Sequence, residues 1–265
     1  MLLQGKILAD KILNGIKVEK KYKLVIIYIG DDFASSIYTA KKKKVCEKLS
    51  ISCEIIHLSS PTEGEVIEII KKLNLDSSVT GILVQLPLPK ELNTYKIINV
   101  IDPHKDVDGL TAYNQGLLLQ GEEPFFYPCT PSGILTLLDF YNINVEGKRV
   151  VIVGRSNIVG KPLAVMLTRK NATVTLCHSK TINLKEITKT ADILIAAIGK
   201  AQFFNKSYLR DNSIIIDVGI NRNKEGKITG DVDFEGVKDV VKYITPVPGG
   251  IGPLTIASLI KNIIR

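Results

Sequence analysis

Short apolar runs rich in valine and isoleucine alternate along this chain with longer segments whose apolar residues return every three or four positions. The runs at 23–30, 53–58, 79–86, 148–154, 172–177, 192–198 and 213–218 are too short for helices and read as strands, the one closing on Gly154 as a strand buried on both faces. Segments at 7–18, 62–73, 93–101, 130–141 and 254–264 read as helices, as does the one carrying Tyr38 and Lys42. Strand and helix alternating at this spacing predict an α/β fold with parallel sheets under helices. Local chemistry sharpens the boundaries. Ser35 and Ser36 are capping candidates for the helix that follows them, and Thr130-Pro131 reads as an N-cap with proline in the first turn. Residues 221–231 suggest a charged hairpin or turn, and the prolines and glycines of 245–252 a stiff loop.

One stretch stands out, Val150 to Pro162. A β-branched strand closes on Gly154, a turn of Gly154, Arg155 and Ser156 follows, and an apolar helix begins. Backbone N–H groups at such a helix start favour a phosphate. Ser156 replaces the middle glycine of the usual dinucleotide fingerprint, so an ordinary strand-turn-helix unit is the plain alternative. After the next strand stands His178-Ser179-Lys180, where an NAD-binding unit would carry an acid for the ribose hydroxyls. Arg155 and Ser179, with Lys180 close by, suit a 2′-phosphate instead, which points to NADP over NAD; a polar surface turn is the other reading.

Composition narrows the class. The chain has 265 residues, 45% of them apolar, enough for two domains with cores, and no run approaches eighteen apolar residues. Its N-terminus lacks a charged leader followed by a cleavage site, so neither a signal peptide nor a membrane span is expected, and the location expected is cytoplasmic. The net charge of +8 suits an anionic partner: nucleic acid, a phosphorylated cofactor or a polycarboxylate substrate. No RNA-binding signature or aromatic-basic interleaving favours the first. Four scattered cysteines and three histidines without ligand spacing argue against a structural metal or a disulfide framework.

In the first half, Tyr38 and Lys42 are four apart and share a helix face, flanked by Lys41, Lys43 and Lys44. Crowded like charge with partial burial would make Lys42 a proton carrier near neutral pH, whereas four solvated lysines are the bland alternative. Gln85, before Leu86-Pro87-Leu88-Pro89, falls at a strand's carboxyl end, where ligands of open α/β sheets bind.

Several segments in one order resemble the bifunctional methylenetetrahydrofolate dehydrogenase/methenyltetrahydrofolate cyclohydrolases. They are Tyr38-x-x-x-Lys42, Gly81 to Pro89, Lys105-Asp106-Val107-Asp108-Gly109, Pro128-Cys129-Thr130-Pro131, Gly154 to Gly160, Asp217-Val218-Gly219-Ile220-Asn221 and Thr245 to Pro253. The resemblance implies an N-terminal α/β catalytic domain, 1–128, completed by a C-terminal helix at 253–265, and a Rossmann-type NADP-binding domain, 129–252, with the active site in the cleft between them. It implies Lys42 as proton manager, Gln85 orienting it, Tyr38 beside the one-carbon centre and Asp108 on the pterin's amino edge. Val84, Leu86, Pro248, Gly249 and Gly250 would line the folate site; Gly154, Arg155, Ser156, Ser179 and Ile220 would bind NADP. The substrate implied is 5,10-methylenetetrahydrofolate and the assembly a homodimer. Ser50 departs from the family, which often has glycine there. A dehydrogenase without efficient hydrolysis and a non-catalytic nucleotide-binding scaffold are the competing readings; the Gln85 and Asp108 segments argue against the similarly built shikimate dehydrogenases.

Overall fold

The computed structural model describes residues 1–223 and 225–265; Lys224, within the expected 221–231 hairpin, lies outside the described residues. The chain forms two compact units, one of residues 13–127 with 259–265, the other of 1–12 with 128–258.

The first unit is built on three parallel strands, β1 (Lys23–Ile29), β2 (Ser52–Leu58) and β3 (Gly81–Val84), in the order β2-β1-β3. β1 is central and buried along nearly its whole length, which its Leu-Val-Ile-Ile-Tyr-Ile sequence requires. Helices Phe33–Lys48 and Glu63–Leu75 follow β1 and β2. The second starts in a capping box of Thr62 and Glu65, and at its other end the Lys105 ammonium donates to the carbonyls of Leu73, Asn74 and Asp76. A cation there satisfies orphan carbonyls and faces the negative end of the helix dipole.

The helix Phe33–Lys48 is capped not by Ser35 or Ser36 but by Asp32, whose carboxylate accepts from the Ser35 N–H at 2.7 Å. A carboxylate meets the positive helix end better than a neutral hydroxyl. At the other end, Ile51 N–H reaches Cys46 O and Ser50 N–H reaches Glu47 O, with Ser50 at φ 58°. This is a Schellman stop, whose left-handed residue is normally glycine or asparagine. Three further helices end the same way on Gly121, Asn142 and Asn171. Ser50 is thus the one member of the set that is neither glycine nor the asparagine that tolerates this conformation, and Ser50→Gly is expected to raise stability by about 0.5–1 kcal/mol, read as an increase in Tm; an unchanged or lower Tm refutes it.

The second unit holds five parallel strands, β4 (Arg149–Val153), β5 (Thr173–Cys177), β6 (Ile193–Ala196), β7 (Ile214–Asp217) and β10 (Tyr243–Ile244), in the order β10-β7-β6-β4-β5. The order reverses between β4 and β6, the switch point at which doubly wound sheets open a ligand crevice beyond their carboxyl ends. The antiparallel pair β8 (Asn221–Arg222) and β9 (Ile228–Thr229) supplies the hairpin of 221–231. Residues 1–12 belong here because Leu2 bridges Ile244 and Leu3 N–H bonds to Ile244 O. The expected functional limits of 1–128 with 253–265, and of 129–252, therefore differ from the compact units at the chain's start and at 253–258, which group with the second unit. The helix after Pro128 spans Cys129–Phe140 with no side-chain cap; Thr130 is inside it, its hydroxyl 3.1 Å from that of Thr255. The last helix is Ile251–Ile263, and in its final turn Asn262 Nδ2 donates to the carbonyls of Val107 and Tyr127. No helix among the described residues is long and apolar enough to cross a membrane, and all four cysteines are free thiols.

Candidate functional site

In the first unit the helix after β1 and the chain leaving β3 bring two groups together. Lys42, 7% exposed, donates from Nζ to Gln85 Oε1 at 3.0 Å. Gln85 is itself fixed: its N–H bonds to Ile27 O at 2.8 Å, continuing the β1–β3 ladder, and its Nε2 donates to Leu86 O at 2.7 Å. With the amide nitrogen committed, Oε1 must face the ammonium. Lys41 and Lys44 on the same helix are exposed, so of these lysines Lys42 is the one drawn inward. Tyr38, one turn earlier, is half-buried, and burial pushes its phenol above the usual tyrosine range. Val84 is buried at the end of β3, and Leu86 is half-buried beyond it.

The segment Lys105 to Gly109 divides its labour by geometry. Lys105 caps a helix, as above, and its carbonyl accepts from Ile82 N–H, zipping the loop onto β3. Asp106, 1% exposed, accepts from Leu110 N–H, Thr111 N–H and Asn114 Nδ2, which consumes its carboxylate in the loop itself. Burial pushes the Asp106 carboxyl up, against these hydrogen bonds. Asp108 is half-buried and makes no side-chain hydrogen bond or ion pair among the described residues, so of the two loop acids it is the one available to a ligand. Sequence reasoning singled out Asp108 but missed the structural work of Lys105 and Asp106, whose only signal is their place in the same segment.

In the second unit the turn after β4 has open backbone and tight glycine packing. Gly154 has φ 130°, and a side chain there would strike the Ala197 carbonyl; one at Gly160 would strike Gly154 O. Ser156 Oγ accepts from Val159 N–H at 3.2 Å, holding the turn. The N–H groups of Arg155, Ser156, Asn157 and Ile158 donate to no described residue, and all four residues are exposed ahead of the helix Gly160–Arg169. Open donors of this kind fit a nucleotide's phosphates. Arg155 and Ser179 follow the paired ends Val153 and Cys177 of neighbouring strands, both are exposed, and Arg155 has no ion-pair partner among the described residues. No acid occupies the turn after β5; His178 Nδ1 accepts from Lys180 N–H there. Ile220, 44% exposed, lies past the end of β7 on the same carboxyl rim. Pro248, Gly249 and Gly250 belong to this unit as well, with Gly249 at φ 106° and its carbonyl accepting from Lys6 N–H.

Two acids at that rim escaped sequence reasoning. Asp217, 3% exposed, and Asp231, fully buried, take up seven hydrogen bonds between their carboxylates. Burial pushes Asp217 up to about 7, with Asp231 adding repulsion and the Asp231, Val232 and Gly219 N–H groups pulling down. A folded pKa above the unfolded value means its contribution to stability is complete below about pH 4 and is lost as pH rises through 7, by at most about 1.4 kcal/mol per pH unit. Asp217→Asn is therefore expected to flatten the fall in Tm between pH 5 and 7.5 relative to the parent; parallel curves refute this.

Residues 3–108 match the model for the tetrahydrofolate dehydrogenase/cyclohydrolase catalytic domain, and residues 128–265 match that family's NAD(P)-binding domain. The "Bifunctional protein FolD" of Agathobacter rectalis is 50% identical over all of this chain and 98% of its own. The crystal structure of the bifunctional FolD methylenetetrahydrofolate dehydrogenase/cyclohydrolase from Campylobacter jejuni aligns with a TM-score of 0.93 at 44% identity, covering 100% and 97% of the two chains. The Trypanosoma brucei dehydrogenase-cyclohydrolase, complexed with NADP cofactor and inhibitor, aligns at 0.91 with 30% identity over 99% and 95%. With its catalytic and NAD(P)-binding domains both matched, the chain belongs to the tetrahydrofolate dehydrogenase/cyclohydrolase family.

Proposed function

We infer that this protein oxidises 5,10-methylenetetrahydrofolate with NADP and hydrolyses the methenyl product to 10-formyltetrahydrofolate. The observation that carries the reading is the buried Lys42 held to Gln85 at 3.0 Å, in a chain of this family. NADP, when bound, supplies the hydride acceptor. Gly154, Arg155 and Ser156 hold its phosphates, Arg155 and Ser179 meet the 2′-phosphate, and the backbone at Ile220 contacts the ring end. On the folate side, Asp108 accepts from the pterin's amino edge, and Tyr38 packs beside the one-carbon centre between Val84 and Leu86. Pro248, Gly249 and Gly250 bring unhindered backbone to the flat ring. Hydrolysis adds water to the methenyl carbon, the water losing one proton as the C–O bond forms; as the C–N bond opens, the new hydroxyl gives up its proton to become the formyl carbonyl, with net release of one proton, and the ring nitrogen gains a proton. Lys42 is the group that carries that proton, with Gln85 fixing the direction of its ammonium.

The test is turnover of the purified protein with methylenetetrahydrofolate and either NADP or NAD, following methenyl absorbance as it forms and decays. No turnover with either cofactor overturns the reading, and accumulation without decay leaves a dehydrogenase alone. Free thiols at all four cysteines fit a reducing cytoplasm, where the formyl product would serve purine biosynthesis. A homodimer is the assembly we favour, since β5 is a terminal strand of its sheet with Leu176 36% exposed; sedimentation at monomer mass would exclude it.

A further inference from the structure

The carboxyl rim of the five-stranded sheet carries more buried charge than its fold needs. Asp231 is fully buried and accepts four hydrogen bonds: Ile198 N–H at 2.6 Å and Gly199 N–H at 3.1 Å on Oδ2, Lys200 N–H and Asn221 Nδ2, both at 2.8 Å, on Oδ1. Asp217 accepts from Gly219 and Asp231 N–H on Oδ1 and from Val232 N–H on Oδ2, each at 2.9 Å. Glycine is required at 219 and 230 for the acids to approach, because a β-carbon at either would collide with the carboxylate of Asp231 or Asp217 respectively. A buried carboxylate is costly unless every lone pair is met, and here the donors come from separate loops beyond β6 and β7.

Two consequences follow for the rim. Ile220 is anchored on both sides, through Gly219 N–H to Asp217 and through the Asn221 side chain to Asp231, while its own side chain stays exposed. In a trans peptide the C=O opposes the N–H, so drawing the N–H groups of 198–200 onto Asp231 turns the carbonyls of Ala197, Ile198 and Gly199 away from it. Those three carbonyls accept from no described residue, and that of Ala197 stands against Gly154 in the phosphate turn.

Resting on the NADP-dependent reading above, we propose that Asp231 and Asp217 are positioning residues for the dinucleotide, which they serve by fixing Ile220 and the 197–199 carbonyls as one binding edge. They touch no ligand themselves; they determine whether the edge is ready before the cofactor arrives. A preorganised edge spares the cofactor the ordering cost of two loops, so loosening it weakens binding without removing a contact.

The experiment compares Asn221→Ala, Asn221→Asp and Asp231→Asn with the parent by direct NADP titration and by the ratio of dehydrogenation to hydrolysis of methenyltetrahydrofolate run without dinucleotide. Asn221→Ala removes one strut, and Asn221→Asp sets an acceptor against the Asp231 carboxylate at nearly constant size. NADP affinity is expected to fall about tenfold in Asn221→Ala and further in Asn221→Asp, with the ratio falling in step through KM for NADP rather than kcat. Asp231→Asn is expected to lose more, and if it fails to fold the Asn221 pair decides. Parent-like NADP affinity in both folded Asn221 variants overturns the proposal. If the parent turns over no folate, the functional reading falls alone, and the titration still decides the role of the two acids.

Discussion

Lys42→Met is expected to abolish hydrolysis of methenyltetrahydrofolate, lowering it by about 10²–10⁴-fold, while hydride transfer survives at a reduced rate. Methionine is unbranched like lysine and only one heavy atom shorter, so it fills most of a position that is 7% exposed. What it removes is the ammonium, the donor to Gln85 Oε1 at 3.0 Å and the only group in the pair that can give and take a proton. Oxidation of the methylene bridge asks for alignment of donor and acceptor and no proton carrier, which is why the two activities separate. Losing the Lys42–Gln85 bond leaves a half-buried amide oxygen short of a donor, a stability cost of about 1–2 kcal/mol that a melting curve will register independently of rate. Stopped-flow decay of the methenyl absorbance measures hydrolysis directly. Hydrolysis by the variant equal to the parent's would remove Lys42 from the mechanism.

How much of this was legible in the sequence depends on whether a feature is local. The strands were readable because each is a short, apolar-rich run too brief for a helix, and β1, β4 and β7 lie close to where the runs place them, while β2 and β5, at the ends of their sheets, leave most of their side chains partly or fully exposed. Tyr38 and Lys42 were readable as one helix face because the spacing alone fixes that. Caps were read less well: Ser35, Ser36 and Thr130 all carry the right hydroxyl, but Asp32 outcompetes the serines electrostatically, and the helix at Thr130 begins before it. Ser50 shows the opposite case, in which a departure from family habit marked a backbone position whose φ of 58° explains the habit. The short helices Ala112–Gln120 and Leu184–Lys189 carry too few turns for an apolar period to emerge. The acids at 106, 217 and 231 could not be found by pattern at all. Asp217 and Asp231 find partners from separate segments that meet only after folding, Asp106 is satisfied by the turn and helix start just beyond it, and composition gives all three every reason to be on the surface.

Arg155→Ala is expected to weaken NADP by about 10–100-fold and to leave NAD nearly unchanged. The turn after β5 has Ser179 and Lys180 where an acid would hold free ribose hydroxyls, so nothing there repels a phosphate. Gly154 N–H bonds to Cys177 O at 2.9 Å, which locks the ends of β4 and β5 side by side and sets the residues one and two places beyond them on adjoining turns. Arg155 is exposed and has no ion-pair partner among the described residues, so its guanidinium need not break a bond to meet a dianion. Ser179→Ala removes one hydroxyl and should cost NADP less, about 0.5–1.5 kcal/mol, because a neutral donor contributes less than a charged one. The contribution of Arg155 is electrostatic and exposed, so the parent's preference should also shrink as salt rises, and the variant's should not. Titrating both proteins with both dinucleotides at low and moderate salt separates these effects. Equal loss of NADP and NAD would mean that Arg155 supports the shared phosphates alone, and the 2′-phosphate assignment would pass to other groups.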